Sequence, residues 1–342
     1  MKQSNIHNYQ KISANIFHVI QILILFFKFQ KVYTNFFQVF LGFLNNNKKI
    51  KVILKNNDSL VLSARSTALT ANLHNQKLEQ DFLTDQITIQ KNSGLISEKE
   101  KIIIHNGIEN GDVYSVFIKN DYDALNVKGK TVVDIGANIG DSSIYFSIKG
   151  AKRVIGFEPF YNNFCFAQKN IEENSFSENC SIFLAGCSGN SGSIKLDPDI
   201  KSDVDSRLQL SNIGKDIPIY SLQQIISDFD VPNNSILKID CEGCEYESIL
   251  SASNETLNRF DQILIEYHHG YLDLKEKLKK CGFKVSNTSP ISTGFIGKYL
   301  RIFRLKTRND FEKRNKKYSS NDDFKNNFKP GYYGLIYAIK DI

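Results

Sequence analysis

A regular alternation of short apolar strands and helical stretches begins at residue 130, and it constrains the fold more than any other feature of the chain. Strands are predicted over residues 131–135, 153–158, 180–185, 236–240 and 262–267. Helices are predicted over residues 141–149, 161–174, 243–251 and 271–281. This order is typical of an α/β domain built on a mainly parallel sheet. Strands at 283–286 and 334–339, separated by a long loop at 288–330, predict a C-terminal antiparallel hairpin.

Two segments precede this domain. The alternating stretches 49–54 and 59–62 flank an Asn-Asn-Asp turn and predict a hairpin. A helix over 65–83 and strands over 101–105 and 113–117 complete a small α+β cap. The predicted organisation is therefore an N-terminal helical segment, a cap and an α/β domain, at residues 1–47, 48–120 and 121–342.

The first strand of the α/β domain runs into a glycine turn, in the segment VVDIGANIGDSS at 132–143. Gly136 and Gly140 allow the backbone to approach a ligand closely, and Asp141 or Ser142 is placed to cap the next helix. Glycine turns at the carboxyl end of the first strand bind nucleotides in open α/β sheets. The segment therefore predicts a nucleotide site.

Asp134 and Glu158 indicate which nucleotide binds there. The dinucleotide fingerprint is GxGxxG, and Asp134 stands where its first glycine would be. A carboxylate repels a pyrophosphate and suits a cationic ligand such as S-adenosylmethionine, so an NAD-dependent oxidoreductase is disfavoured. Glu158 ends the next strand, 22 positions after Gly136, where an acid can hold ribose hydroxyls.

Acidic residues and histidines follow the next two central strands. Asp240 and Glu242 come directly after one strand, and Glu266 and His268 end the other. Strand-tip side chains face the crevice above a parallel sheet, so either His268 or Asp240 is a candidate general base for a hydroxyl. Glu245 lies just beyond Asp240 and Glu242 and either faces the same crevice or is a solvated acid in the first turn of a helix.

Missing motifs narrow the type of acceptor. The chain has no [DNS]-P-P-[YF] at the fourth strand and no Pro-Cys pair, which disfavours methylation of base amino groups and of pyrimidine C5. Residues 58–298 contain 24 basic and 32 acidic side chains, so no nucleic-acid partner is expected. A hydroxyl or carboxyl oxygen remains as the expected acceptor.

At these residues the sequence resembles the FkbM family of S-adenosylmethionine-dependent methyltransferases. The matching segments are VVDIGANIGDSS, IGFEP at 155–159, LKIDCEGCE at 237–245 and the pair Glu266 and His268. The resemblance covers roughly residues 110–287. It implies a Rossmann-like class I methyltransferase sheet and O-methylation of a sugar, glycan or other polyhydroxylated metabolite.

The resemblance also implies roles for individual residues. Five of them would line the cofactor: Asp134, Gly136, Asn138, Gly140 and Glu158. Four would line the reaction crevice: Asp240, Glu242, Glu266 and His268. The alternative interpretation is a catalytically silent methyltransferase-like module or scaffold with basic termini on an anionic partner.

Six cysteines without paired spacing, apart from Cys241 and Cys244, are interpreted as reduced thiols of a cytoplasmic protein. Without a second CxxC or an HxxxH, a zinc site at that pair is disfavoured, and no metal ligands are assigned. A divalent ion between Asp240 and Glu266 is the alternative, because some class I methyltransferases place one between strand-tip carboxylates and the acceptor oxygen.

The N-terminal segment is apolar but interrupted. His18, Gln21 and Lys28 break the run at 16–29, which is too short to span a bilayer, and no small-x-small cleavage site follows. Together with a second aromatic stretch at 36–44, it predicts a helical hairpin. Residues 12–44 are expected to contact the catalytic domain, a second subunit or an anionic membrane surface.

Overall fold

The computed structural model describes residues 20, 22–76, 78–96, 99–198, 214–268, 270–288, 291–292 and 332–340. Its main sheet has seven strands, which we label in chain order: β1 (Thr131–Ile135), β2 (Arg153–Phe157), β3 (Cys180–Phe183), β4 (Ser235–Ile239), β5 (Phe260–Tyr267), β6 (Phe283–Asn287) and β7 (Tyr332–Lys340). The strand order is β6-β7-β5-β4-β1-β2-β3. Strands β1 to β5 are parallel, and β7 is antiparallel to both of its neighbours. The predicted α/β class and C-terminal antiparallel pair are confirmed.

Helices connect these strands. They are Asp141–Ile148, Tyr161–Glu173, Leu222–Asp228, Cys244–Ser251, Asn254–Leu257 and Leu272–Lys280. The helix Leu222–Asp228 begins where the Ser221 hydroxyl accepts from the backbone N–H of Gln224. The cap predicted for the helix after β1 is wrong: its N-cap residue is Gly140, which places the Ser142 side chain against Asp134 instead.

The two central strands are buried on both faces. Every residue of β1 and β4 is buried. Val132 and Ile236 point into one apolar cluster, whereas Val133 and Leu237 point into another on the opposite face. Alternate side chains of a strand point to opposite faces, and continuous apolar runs are therefore typical of a parallel sheet covered on both sides.

The cap contains two small antiparallel sheets. One is the predicted hairpin, Ile50–Ile53 with Ser59–Leu62. The other has three strands, Glu79–Asp81, Gln86–Gln90 and Lys101–His105. The helix Ala64–Asn75 lies between them in sequence.

Two predictions for the cap are wrong. The helix predicted over 65–83 ends at Asn75, and Glu79–Asp81 forms a strand. The strand predicted over 113–117 is the π-helix Tyr114–Ile118, whose Val116 and Phe117 are buried. Phe117 packs edge-on against Tyr145, with ring centroids 5.7 Å apart. The strand preference of β-branched and aromatic residues depends on what they pack against, and these residues pack against a helix.

Asparagine side chains join the cap to the main domain. Asn170 accepts from the backbone N–H of His105 (2.8 Å) and donates to its carbonyl (3.2 Å). Asn174 bonds the backbone of Ile103 in the same way. The helix Tyr161–Glu173 and its C-cap residue Asn174 thereby supply hydrogen bonds that a neighbouring strand would otherwise make to Lys101–His105. The domain boundary at residues 120/121 stays a prediction.

Several predicted features lie partly outside the described residues. The polar insertion predicted at 195–212 contains the end of an antiparallel hairpin, Gly192–Leu196 with Lys215–Tyr220. Residues 199–213 and most of the loop 288–330 are not among the described residues. At the N-terminus, residues 22–32 and Phe36–Leu44 are helical. Within the described ranges, no helix is long and apolar enough to cross a membrane.

Gly136 fixes how closely β1 and β4 approach at their carboxyl ends. It has φ +76°, and a Cβ there would stand 1.8 Å from the backbone oxygen of Asp240. Gly129 has a similar φ of +72°, but a Cβ at that residue would meet no other atom within 4 Å.

We expect Gly129→Ala to lower the free energy of unfolding only by the strain of a left-handed backbone, about 1–2 kcal/mol. Gly136→Ala should cost about 1–3 kcal/mol more because the backbone must move. Urea denaturation of both variants measures the difference, and equal losses would contradict this account.

Candidate active site

The carboxyl ends of β1, β2, β4 and β5 meet at one edge of the sheet and bring the predicted site residues together. Asp134 lies near the end of β1, and Gly136, Asn138 and Gly140 form the turn that follows it. Glu158 directly follows β2. Asp240 and Glu242 follow β4, and Glu266 and His268 lie at the end of β5. Asn138 has φ 48°, so the turn between the two glycines is also left-handed.

A buried ion pair stands behind the glycine turn. Lys238 Nζ lies 2.9 Å from Asp134 Oδ1, and the two side chains are 2% and 0% exposed. Lys238 also donates to the carbonyl of Gly136 at 2.8 Å. Asp134 Oδ2 accepts from the hydroxyls of Ser142 (2.7 Å) and Ser143 (2.6 Å). Asp134 therefore organises the turn and the start of the next helix, and its charge is balanced within the protein.

The lysine of this pair remains charged. Burial alone would lower the pKa of Lys238, but the negative charges of Asp134 and Asp240 outweigh it and raise the pKa above its ordinary value. Lys238 was not among the site residues predicted from the sequence. Lys238 is the single charged residue in an otherwise apolar strand. Lysine is almost never fully buried unless it is paired, so this position in the sequence already indicates a buried ion pair.

Further acids lie beside the turn. Asn138 donates to Asp112 and accepts from Asn163 (2.6 Å). Burial and the charge of Asp240 raise the pKa of Asp112 to about 6. Asp141 is 2% exposed, and its pKa is raised well above the ordinary range by burial and by Asp112. Its Oδ2 has no hydrogen-bond partner among the described residues. This group of acids around one lysine favours a bound cation.

Glu158 ties the glycine turn to the end of β2. It is 3% exposed, and its two oxygens accept from the backbone N–H groups of Asn138 and Phe160, both at 2.9 Å. Burial raises the pKa of Glu158 to about 7. A carboxylate has about four acceptor positions, so two remain for the hydroxyl groups of a ligand.

A cleft with an empty volume of about 300 Å³ opens beside this turn. Its lining is almost entirely apolar or sulfur-containing: Ile135, Gly136, Phe157, Pro159, Gly186, Cys187, Cys241 and Cys244. Its apolar walls suit a flat aromatic group such as adenine.

The interpretation of all six cysteines as reduced thiols is wrong for two of them. Cys241 and Cys244 form a disulfide within the turn after β4, since that turn brings their Cα atoms to 5.6 Å. Cys165, Cys180, Cys187 and Cys281 are free. The disulfide closes the short loop that carries Glu242, and both of its cysteines line the cleft.

His268 lies among three carboxylates. Its Nδ1 is 3.1 Å from Glu245, and its Nε2 is 3.3 Å from both Glu242 and Glu266. Burial would lower the pKa of His268, but hydrogen bonds to the three carboxylates outweigh it and raise the pKa well above the ordinary value. An imidazolium that donates from both nitrogens cannot accept a proton. The geometry therefore favours Asp240 over His268 as the base.

Asp240 and Glu266 complete this group. Asp240 Oδ2 accepts from the Tyr122 hydroxyl at 3.2 Å. Burial and the charge of Asp240 raise the pKa of Glu266 to about 8. Ligand atoms of Asp240, Glu266 and His268 lie within 4.8 Å of one another, so these residues could hold a divalent ion if His268 lost a proton.

Three other residues were missed as parts of the site. Tyr122 and Asp112 precede the glycine turn in sequence, and no local motif marks them. Glu245 was left open between the crevice and a solvated helix start; it is fully buried, accepts from the backbone N–H of Gly243 (2.7 Å) and contacts His268. Its spacing of three residues after Glu242 was the available signal.

Residues 134–285 match the family model described as the methyltransferase FkbM domain. This part of the chain is an FkbM methyltransferase domain. The strand order of the main sheet, with β7 between β5 and β6, agrees with the class I methyltransferase sheet expected for such a domain.

Among curated proteins, the chain is 25% identical over 244 residues to Methyltransferase 1 of Beauveria bassiana, covering 62% of this chain and 92% of that protein. It is 54% identical over 37 residues to uncharacterized protein 158B of Sulfolobus islandicus rod-shaped virus 1. That match covers 11% of this chain, and the chain spans 23% of the length of the viral protein.

The chain is also similar to two solved structures over part of its length. Precorrin-6y C5,15-methyltransferase of Geobacter metallireducens is 15% identical, with a TM-score of 0.36 over 68% of this chain and 89% of that one. TrmK of M. capricolum, solved with S-adenosyl-homocysteine, is 12% identical, with a TM-score of 0.34 over 65% of this chain and 67% of that one.

The ion pair between Lys238 and Asp134 should be strongly coupled. We expect Lys238→Met to lower the free energy of unfolding by about 3–5 kcal/mol, because it leaves Asp134 buried without its counter-charge. The double variant Lys238→Met, Asp134→Asn should recover part of that loss. Denaturant titration measures both variants, with the exposed Lys152→Met as the control. Additive losses in the double variant would contradict coupling.

Glu158 makes stability depend on pH. Its pKa is about 7 in the folded protein and about 4.3 in an unfolded chain, so the folded state binds more protons between these values. The contribution of Glu158 to the free energy of unfolding is therefore fully present below about pH 4, and it is lost as the pH rises through about 7.

We expect Glu158→Gln to flatten the fall in unfolding free energy between pH 5 and 8, whatever its effect on absolute stability. Denaturation at a series of pH values measures the slope. The exposed Glu247→Gln is the control and should leave the slope unchanged. An unchanged slope in Glu158→Gln would show that Glu158 is already ionised in the folded state.

Proposed function

We infer that the chain is an S-adenosylmethionine-dependent O-methyltransferase that acts on a hydroxyl of a sugar, glycan or other polyhydroxylated metabolite. The observation that carries this proposal is the group of strand-tip carboxylates Asp240, Glu242 and Glu266 beside the glycine turn of the FkbM domain. Carboxylates accept hydrogen bonds from hydroxyl groups, and several together can hold a polyol in one orientation.

The residues around the turn fit this cofactor. Beside a bound cation Asp112 and Asp141 would ionise and balance the charge of its amino-acid portion, and Asp141 Oδ2 has no hydrogen-bond partner among the described residues. Glu158 keeps acceptor capacity for ribose hydroxyls, and the apolar cleft suits the adenine ring. When bound, S-adenosylmethionine supplies an electrophilic methyl group on a sulfonium. Asp134 contributes indirectly, because it holds the turn through Ser142 and Ser143.

Asp240 is the group proposed to remove the proton from the acceptor hydroxyl. It lies at the tip of β4, next to the turn, and the Tyr122 hydroxyl orients one of its oxygens. His268 stays protonated and keeps Glu242 and Glu266 in place through hydrogen bonds. Most of the rate enhancement would come from holding the two reactants in register, because positioning alone can lower a barrier by about 7–11 kcal/mol.

Calorimetry tests cofactor binding directly, and transfer of labelled methyl to a panel of sugars and glycans tests the acceptor. We expect binding of S-adenosylmethionine to the unmodified chain. Failure to bind it would refute the proposal. Binding without transfer to any hydroxyl acceptor would favour the catalytically silent scaffold instead.

Asp240→Asn should separate binding from chemistry. Asparagine keeps the shape and the hydrogen bond from Tyr122 but cannot accept the proton. We expect the transfer rate to fall by about 10²–10⁴-fold with little change in cofactor affinity. Glu247→Gln, an exposed acid seven residues on, is the matched control and should retain activity.

An unchanged rate for Asp240→Asn would remove Asp240 as the base. The same assay in the presence of EDTA tests the divalent-ion alternative at Asp240, Glu266 and His268. Loss of activity restored by a divalent metal would support a metal-assisted reaction.

A further inference from the structure

The N-terminal helical hairpin, formed by residues 22–32 and Phe36–Leu44, is apolar on two faces. Its inner face packs on the protein: Leu25, Phe29, Val39 and Phe43 are at most 2% exposed and belong to a cluster with the hairpin Ile50–Ile53 and Ser59–Leu62. Phe26 holds the two helices together through edge-on contacts with Phe36 and Phe40. The inner face therefore already has its partner within the chain.

The outer face has six large apolar side chains exposed to solvent, which we call the outer stripe: Ile20 (47%), Leu23 (51%), Ile24 (48%), Phe27 (56%), Phe37 (58%) and Leu41 (45%). The first four occupy positions i, i+3, i+4 and i+7, which lie on one side of a helix, and the last two are one turn apart. A concentration of exposed apolar residues on one element marks a site of interaction with a protein or a membrane.

Exposed lysines surround the turn of the hairpin. Lys31 follows Phe27 by one helical turn and continues the line of the outer stripe. Lys55 donates its backbone N–H to Val32 (3.1 Å), and the backbone carbonyl of Lys51 accepts from Asn35 (2.9 Å). All three lysines are exposed. Residues 1–57 contain eight lysines and no acidic residue.

We propose that the outer stripe and the lysines around the hairpin turn bind the surface of a bilayer that contains anionic phospholipids. An amphipathic helix of this kind lies in the plane of the interface, with its apolar side chains about 5–10 Å deep and its lysines at the headgroups. Each lysine near an anionic surface is attracted to the headgroups, and added salt screens this attraction. The positive charge of these lysines complements the negative charge of the headgroups, which favours a membrane as the partner of this face.

A second copy of the chain fits this face less well. A two-fold dimer places the same surface patch of both subunits together, so the lysines of both copies would be gathered at one interface. Asp58 is the one acidic residue among residues 1–62, so this face offers little negative charge to balance them. Binding to a bilayer is also independent of methyl transfer, since the outer stripe contains none of the residues assigned to the cleft or the crevice.

Vesicle co-sedimentation with the full chain tests the proposal. We expect binding to vesicles of phosphatidylcholine with about 30% phosphatidylglycerol, weak binding to phosphatidylcholine alone, and release as the salt concentration rises. The variant Leu23→Glu, Phe27→Glu should bind at least about tenfold more weakly, because it buries charge in place of apolar surface. Lys31→Gln, Lys55→Gln should weaken binding and reduce its dependence on salt.

The matched control is Leu83→Glu, which places the same charge on a side chain that is 94% exposed and does not belong to the outer stripe. It should bind as the unmodified chain does, and thermal unfolding by circular dichroism should be similar for all variants. No binding of the unmodified chain to anionic vesicles, or equal binding of Leu23→Glu, Phe27→Glu, would overturn the proposal. A dimer in light scattering that this variant dissociates, without vesicle binding, would assign the face to a second copy.

Discussion

The ion pair between Asp134 and Lys238 crosses the centre of the sheet, from β1 to β4, and the geometry of the catalytic edge depends on it. Lys238 holds the carbonyl of Gly136, and Asp134 holds Ser142 and Ser143 at the start of the next helix. This helix begins without a side-chain cap of its own. A buried ion pair is weak evidence for stability, and here its evident effect is to fix one backbone turn.

The carboxyl edge of the sheet contains two positively charged side chains, and each is surrounded by carboxylates. Lys238 has Asp134 as its direct partner, with Asp112, Asp141 and Asp240 nearby. His268 has Glu242, Glu245 and Glu266. Asp240 belongs to both groups, since its charge raises the pKa of Asp112 in one and of Glu266 in the other. The excess of acids on one side suits a cationic cofactor, and on the other side it suits a substrate rich in hydroxyls.

Much of the central fold was predictable because local and long-range signals agree there. The buried β-branched runs, the glycine turn and the acids at strand ends each have a mechanism visible in sequence, and the central strands lie within two residues of the predicted bounds. The cap was less predictable, since Tyr114–Ile118 and Glu79–Asp81 take their structure from what they pack against. The roles of Lys238, Tyr122 and Asp112 depend on contacts between distant parts of the chain or on burial, which spacing along the sequence does not report. The left-handed Glu242 and the disulfide beside it also belong to this class.

The position of β7 also has a consequence for biosynthesis. It pairs with β5 on one side and β6 on the other, so the sheet is incomplete until residues 332–340 are available. During synthesis β5 is long, apolar and unpaired on one edge while the preceding strands are already present. Such an edge is a template for pairing with other chains. Until residues 332–340 have been synthesised, this edge of β5 is therefore exposed to pairing with other chains, which favours aggregation.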